Sequence, residues 1–257
     1  MLKQTLLTLS ILAVAGTAAA EDITNPFYLA SKMQVGSITT AGLERLVVKD
    51  TTDSTKSKQI LAREDLQFGL TDSLALIGAF GNTWDKWKGP QSNYAKEKDN
   101  ENILWNAGLA WNILSGPTKW QVSAVYGQNR LENFSGEYKY ALAETKLGYQ
   151  FKRVLPYVSG SVEIPVAQKS AGDKFIYNAR AGIYQGKCEV WALDTGLRLT
   201  YDENVEARYV TADAEASYYI TPKTTLGIYG SYMLDGRQKG GTDVYDKTAG
   251  LRLRMFF

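Results

Sequence analysis

Apolar and polar side chains alternate with a period of two along most of this chain, from residue 33 to the carboxyl terminus. The alternation runs in segments of about ten to fourteen residues, which turn-forming residues separate. Successive side chains of a β-strand point to opposite faces of a sheet, so each segment predicts a strand with one apolar and one polar face. Helical periodicity is hard to find anywhere in the same region.

The pattern predicts twelve strands, with ten and fourteen as the alternative counts. Their approximate bounds are residues 33–49, 60–70, 73–84, 101–114, 118–128, 137–151, 154–166, 174–185, 188–201, 206–220, 224–235 and 244–257. The first strand has the weakest pattern, because Ala41 and Gly42 interrupt its alternation.

The predicted connections are of two kinds, and the two kinds alternate along the chain. Tight turns are predicted at Thr71-Asp72, Ser115-Gly116-Pro117, Lys152-Arg153, Gly186-Lys187 and Thr221-Pro222-Lys223. Longer polar links are predicted at 50–59, 85–100, 129–136, 167–173, 202–205 and 236–243. All short turns then lie at one end of the strands and all longer links at the other, which is the layout of an up-and-down outer-membrane barrel.

The first 20 residues predict a secretory signal peptide. Lys3 precedes an apolar run from Leu6 to Ala15, and Ala18 to Ala20 form a small-residue cleavage site before Glu21. After this segment no run of 18 apolar residues occurs, so only a closed barrel could cross a bilayer. Residues 21–32 have no strand pattern, and two interpretations stay open for them: a periplasmic tail, or a partial plug in the barrel mouth.

The predicted signal peptide, the alternating strands, the turn from Gly69 to Leu74 and a last strand ending in Phe257 together resemble a Gram-negative outer-membrane β-barrel protein. The resemblance covers nearly all of residues 33–257 and concerns the architecture; no motif identifies a particular family. It implies Sec-type export, removal of the signal peptide and location in the outer membrane. It also implies that the barrel-assembly machinery reads the last strand, through an assembly signal made of Ala249, Leu251, Leu253, Met255 and Phe257.

Aromatic residues favour a membrane-facing interpretation of the apolar stripe. The chain has 16 Tyr and 6 Trp, and several lie near strand ends on the apolar face, where amphipathic rings form interfacial girdles. The predicted girdle comprises Trp84, Trp105, Trp111, Trp120, Tyr201 and Tyr218. A soluble β-sandwich core is the alternative. Apolar faces made of small residues, such as Ala212, Ala214 and Ala216, argue against it because they fill a core poorly.

The polar stripe then faces the lumen, and its predicted pore-lining charges are equally divided in sign. They are Arg63, Asp65, Glu144, Lys146, Glu163, Arg180, Asp194, Arg198, Asp213, Glu215, Arg252 and Arg254. A Lys or Arg facing lipid at mid-membrane costs about 2 to 4 kcal/mol, which keeps such side chains on the inner face. Two functions stay open: a narrow, porin-like passive channel for small hydrophilic solutes, or a non-conducting structural or surface-interaction barrel with a salt-bridged lumen.

Catalysis is not expected. The sequence contains no histidine, so a Ser-His-Asp arrangement and a Cys/His zinc site are impossible, and no metal or cofactor is predicted. Asp213 and Glu215 have the spacing of neighbours on one strand face, which could serve glycoside or proton chemistry. The preferred interpretation is that they are counter-ions for lumen arginines. Cys188 is the single cysteine and cannot form an intramolecular disulfide.

The expected partners are outer-membrane lipid and lipopolysaccharide. The formal net charge of +2 does not favour nucleic acid. The stretch from Trp84 to Pro90 opens the longest external link, and its two Trp and interleaved Lys could grip a saccharide or a lipopolysaccharide phosphate. The preferred interpretation is simpler: Trp84 belongs to the outer girdle and the lysines face the anionic leaflet.

Overall fold

The computed structural model describes residues 22–49, 54–88, 98–131, 136–168, 174–187 and 190–257, so the predicted signal peptide and Cys188 lie outside the described residues. The described chain forms one closed barrel of twelve antiparallel strands, each paired with its sequence neighbours. The strands are β1 (Val35–Lys49), β2 (Ser54–Gly69), β3 (Leu74–Lys88), β4 (Lys98–Ser115), β5 (Thr118–Leu131), β6 (Gly136–Tyr149), β7 (Val154–Gln168), β8 (Ile176–Lys187), β9 (Trp191–Asp202), β10 (Ala207–Thr221), β11 (Thr224–Gln238) and β12 (Thr242–Phe256). The predicted fold class and strand count are confirmed.

The barrel closes where β1 pairs with β12, in register from Gly36 opposite Phe256 to Lys49 opposite Asp243. The final residue completes this seam: the Phe257 N–H donates to the Val35 carbonyl at 2.8 Å, and the Val35 N–H donates to the Phe257 carbonyl at 3.3 Å. Closure leaves no unpaired sheet edge, which a strand structure needs in hydrocarbon. We call the end of the barrel where Val35 pairs with Phe257 the lower end, and the opposite end the upper end.

Most strands extend further at the upper end than the sequence pattern predicts, whereas β8 and β10 begin later than predicted. β2 begins at Ser54, where the alternation predicted residue 60, and β3 continues to Lys88, where it predicted residue 84. Lys56 pairs with Lys88 in this extension. The alternation ends with the apolar belt, but strand pairing continues beyond it. Most of the predicted long links are therefore too long, except those at 167–173 and 202–205, which are shifted along the chain but keep their length. The links at 203–206 and 239–241 are as short as the lower turns.

One predicted lower turn is misplaced by a few residues. Gly186 and Lys187 are the last residues of β8, and the turn follows them. The Gly186 N–H donates to the Arg153 carbonyl at 3.2 Å, so this glycine belongs to the pairing. A Cβ at position 186 would lie 2.6 Å from the Tyr184 hydroxyl oxygen. Close packing, rather than a turn, therefore explains the glycine.

The two faces of the wall differ as the alternation predicts. On each strand, large apolar side chains at alternate positions are exposed; Ile228, Leu251 and Tyr218 are examples. Arg254, at an intervening position of β12, is buried. The described residues contain no helix with the length and apolar character needed to cross a membrane.

The apolar core of the barrel lies at its lower end, and the N-terminal segment, residues 22–34, supplies part of it. Each of the three clusters of buried apolar residues joins this segment to the inner wall. Phe27 packs with Leu155 and Tyr184, for example. The segment therefore occupies the barrel mouth, as in the second of the two interpretations left open by the sequence. We call residues 22–34 the plug segment.

Candidate functional site

The plug segment is tied to the wall first through Asp22. Its carboxylate accepts hydrogen bonds from the Tyr184 hydroxyl at 2.6 Å and from the Tyr219 hydroxyl at 2.7 Å. The Thr24 hydroxyl also donates to Asp22, at 2.8 Å. Hydrogen bonds to an ionised acceptor are about twice as strong as neutral ones, so this cluster is a specific anchor on β8 and β10.

Phe27 provides a second anchor on the other side of the mouth. Its carbonyl accepts hydrogen bonds from the side-chain amides of Asn112 on β4 and Gln121 on β5, both at 3.2 Å. Its ring meets the Tyr157 ring edge-on with centroids 5.9 Å apart. Because β4, β5, β7, β8 and β10 all hold the segment, it crosses the lower mouth instead of lining one side.

Gly69 allows the segment to leave the mouth and enter β1. The Met33 N–H donates to the Gly69 carbonyl at 2.8 Å, and the Ala30 N–H donates to the Gln67 side chain at 3.1 Å. A Cβ at position 69 would lie 1.8 Å from the Ser31 carbonyl oxygen, so only glycine permits this approach.

Above the plug, Arg180 is the centre of one charge network in the lumen. Its guanidinium pairs with Asp213 at 2.5 Å and with Asp194 at 3.1 Å, and it lies over the Tyr157 ring at 5.1 Å. The Tyr157 hydroxyl donates to Asp194 at 2.8 Å. Arg198 is 3.9 Å from Asp213. Since Tyr157 also contacts Phe27, the network is continuous with the plug.

Glu215 is the centre of a second network. It accepts hydrogen bonds from Arg252 and Arg254 of β12, two strands away, and from Ser217 at 3.0 Å. Arg252 also stacks over the Tyr229 ring at 4.9 Å. The side chains of Arg254 and Glu215 are 11% and 12% exposed, so this pair is nearly desolvated.

The remaining predicted pore-lining residues form smaller groups on the same inner face. Arg63 pairs with Asp65 at 2.6 Å along β2, and Lys146 pairs with Glu144 at 3.5 Å along β6. Glu163 accepts a hydrogen bond from Tyr138 at 2.6 Å. The structure therefore places all twelve residues inward, but in separate groups and not as one ring. Their role in conduction stays a prediction.

Among the described residues, the sequence pattern did not identify four inward acids in the upper half of the barrel: Glu44, Asp85, Asp202 and Asp246. Asp85 and Asp202 each lie one residue beyond a predicted strand end, and Glu44 follows the interruption at Ala41 and Gly42. Asp246 shares the parity of Arg252 and Arg254, so extending the alternation up β12 was enough to find it.

Glu44, Asp85 and Asp246 lie on neighbouring strands of one wall. Gln59 of β2 pairs with both Glu44 of β1 and Asp85 of β3, and Asp246 lies on the adjoining β12. Within the part of the chain that the structure describes, Glu44 and Asp246 form no ion pair, and one Asp246 carboxylate oxygen is buried without a hydrogen-bond partner. We call these three residues the upper acidic wall. Among the described residues no group of acids is arranged to hold a metal ion.

The predicted girdle and assembly signal lie on the outer face. Trp84, Trp105, Trp111, Trp120, Tyr201 and Tyr218 are all exposed there. Tyr177 and Tyr201 stack with ring centroids 6.5 Å apart. The residues from Ala249 to Phe257 of the assembly signal alternate with the inward arginines of β12. Recognition by lipid headgroups or by the assembly machinery stays a prediction.

An ion pair outside the barrel wall gives a prediction about titration. At the upper end, Lys239 donates to Glu206 at 2.8 Å, and this hydrogen bond lowers the pKa of the Glu206 carboxyl below its ordinary value. We expect Lys239→Met to return the Glu206 pKa to the ordinary range of an exposed glutamate, as read from carboxyl carbon shifts in an NMR titration. An unchanged Glu206 midpoint would show that the pair does not form in solution.

The closed twelve-strand barrel with a polar inner face and an apolar outer face is the fold of Gram-negative outer-membrane β-barrels. Similar solved structures include an outer-membrane channel from Pseudomonas putida F1, with 11% identity and a TM-score of 0.69, over 92% of this chain and all of that one. The toluene transporter TbuX of Ralstonia pickettii has 9% identity and a TM-score of 0.51, over 88% of this chain and 90% of that one. The translocator domain of the autotransporter NalP from Neisseria meningitidis has 11% identity and a TM-score of 0.51, over 85% and 87%. No protein-family model and no curated protein matches the sequence.

Proposed function

We propose that this chain is an outer-membrane channel that conducts small hydrophilic solutes through a narrow, water-filled lumen. In this proposal the lower end is periplasmic, so the plug segment restricts the periplasmic mouth and the upper links face outside the cell. Sec-type export delivers the chain, and the barrel-assembly machinery inserts it. The observation that carries the proposal is the exposure of inward charges: Arg198 faces the lumen, yet half of its side chain is accessible to water.

The fold similarity to outer-membrane channels is consistent with this proposal. The class of solute follows from the side chains that line the lumen. Charged pairs such as Arg63 with Asp65 remain partly exposed in the lumen, and such a lining suits hydrated solutes. The name of TbuX describes toluene transport in that protein. Liposome swelling with small sugars and amino acids tests the hydrophilic class, because these solutes should enter proteoliposomes faster than protein-free vesicles. Equal swelling rates would contradict the proposal.

The upper acidic wall gives the channel an expected preference for cations. Glu44 and Asp246 are lumen-facing carboxyl groups with no partner cation among the described residues, and rings of carboxylates favour cations in pores. We expect the double change Glu44→Gln with Asp246→Asn to lower the cation preference, measured as a reversal potential closer to zero across a planar bilayer under a salt gradient.

The matched control is Glu137→Gln, which removes an outward-facing acid paired with Lys139 near the same end of the barrel. This control should keep the wild-type reversal potential. An anion preference in the wild-type protein, or an equal shift in the control, would contradict the assignment of the upper acidic wall as the selectivity element.

A non-conducting barrel is the second candidate, and the plug segment favours it. Anchors on five strands close part of the lower mouth, and the Arg180 and Glu215 networks cross the inner surface above it. If the lumen is sealed, planar bilayers stay silent with the wild-type protein, although the barrel still shows heat-modifiable migration on gels. Steady ohmic steps from the wild-type protein would exclude this candidate.

A further inference from the structure

A row of four cations crosses the outer face of the barrel near its upper end. Lys247 of β12 pairs with Arg45 of β1, Arg45 pairs with Lys58 of β2, and Lys58 pairs with Lys86 of β3. Directly opposed residues on one face have Cβ atoms about 5 Å apart, so four like charges lie side by side. We call these four residues the basic row.

Three cations of the basic row, Lys247, Arg45 and Lys58, lie directly opposite one another on neighbouring strands. Like charges placed directly opposite each other destabilise strand pairing, so such a row calls for an anion. No ion pair from the described part of the chain reaches Arg45, Lys58 or Lys247. On β4, the outward acid Glu101 accepts a hydrogen bond from Asn82, and Asp99 is the strand partner of Lys86. One step nearer the upper rim, Lys56 and Lys88 are paired, which adds positive charge to this face.

An apolar surface lies directly below the basic row. Leu43, Ile60, Trp84 and Ala249 each precede or follow a cation of the row by two residues, so they share the outer face. Together with the basic row and the acid Glu101 they line a shallow groove with a volume of about 910 Å³. Three of these apolar side chains are exposed in it: Leu43, Ile60 and Trp84. The groove therefore offers cations above and hydrocarbon contact below.

We propose that this groove binds the phosphorylated headgroup of an outer-leaflet glycolipid, the lipid A part of lipopolysaccharide. Its phosphates accept charge-assisted hydrogen bonds from the basic row, and its acyl chains lie along Leu43, Ile60 and Trp84. The occupant follows from charge complementarity and amphipathic shape: an anion must sit at the upper rim with hydrocarbon beneath it. The inference rests on the proposed orientation, in which the upper end reaches the outer leaflet.

The test compares variants of the refolded full-length barrel in detergent, with lipid A binding measured by native mass spectrometry. Arg45→Gln with Lys58→Gln should bind bisphosphorylated lipid A at least about tenfold more weakly, because charge-assisted contacts are lost. The matched control is Lys187→Gln with Lys223→Gln, two cations near the lower end, and its affinity should stay within about twofold of wild type. Heat-modifiable migration on gels confirms that each variant is folded. The binding experiments on wild-type protein described next require no variant.

Three further binding experiments distinguish the possible sources of the phosphate. Wild-type protein should lose at least about tenfold affinity for enzymatically dephosphorylated lipid A, whereas equal affinity would overturn the proposal. Competition by inorganic phosphate at equal concentration would show a site for the free ion, and equal competition by phosphatidylglycerol would show a general anionic surface. Either result overturns the assignment to lipid A. Single-channel conductance of the Arg45 and Lys58 variant should match wild type, so a failed binding test leaves the channel proposal separately measurable.

Discussion

Deleting residues 22–30 should raise the single-channel conductance of the barrel several-fold. The deletion removes Asp22 from the Tyr184 and Tyr219 hydroxyls and removes Phe27 from the amides of Asn112 and Gln121. It keeps Met33, whose N–H bonds to Gly69, so β1 should still pair normally. Because the segment crosses the lower mouth, its loss should widen the conducting path there.

A milder change tests the same segment without shortening the chain. Tyr184→Phe with Tyr219→Phe removes both hydroxyl donors to Asp22, and we expect more frequent transitions to the high-conductance level. Tyr218→Phe is the matched control, because Tyr218 is next to Tyr219 but faces outward. If the deletion leaves conductance unchanged, the plug segment does not limit the path. If Tyr218→Phe acts like the double change, the effect does not come from the Asp22 anchor.

Replacing Glu215 by Gln should be the most destabilising single change in the lumen. Arg252 and Arg254 both donate to this carboxylate, and the Arg254 side chain is only 11% exposed. Breaking a buried pair leaves an uncompensated charge and costs about 3 kcal/mol or more, so the free energy of unfolding should fall by about that amount. Urea titration in lipid vesicles, followed by tryptophan fluorescence and heat-modifiable migration, measures the change.

Glu144→Gln is the matched control for this charge removal. Glu144 faces the same lumen, but its pair with Lys146 is longer, at 3.5 Å, and its side chain is 31% exposed. Exposed ion pairs contribute less than about 1 kcal/mol, so the control should unfold close to wild type. Equal losses in both variants would show that lumen water screens the Glu215 network as fully as it screens the Glu144 pair.

The wall of the barrel was predictable from sequence because a single physical rule determines which side chains face outward. Lipid excludes charge from one face, so Arg252 and Arg254 must share a parity opposite to Leu251 and Leu253. That rule predicts the strand number and the inward position of twelve charged residues. It failed at the upper strand ends, where Lys56 and Lys88 pair in water and no face is required to be apolar.

The contacts inside the barrel were not predictable in the same way. Arg252 and Glu215 meet across β11, and this meeting depends on the stagger of three strands rather than on local spacing. The plug segment has no periodicity, since its side chains meet the wall singly, as Phe27 does beside Tyr157. The sequence around Gly69 indicates only a turn, whereas the close approach of Gly69 to Ser31 depends on the path of the plug segment.

Spin labels on adjacent residues of β5 test the two-faced, water-filled wall most directly. In a Cys188→Ser background, one label replaces Ser123, which faces the lumen, and another replaces Ala124, which faces outward. In lipid vesicles we expect a water-soluble nickel complex to relax the label at 123 and dissolved oxygen to relax the label at 124. A label at 123 that oxygen relaxes and nickel does not would contradict the account, because the inner face would then be in contact with hydrocarbon.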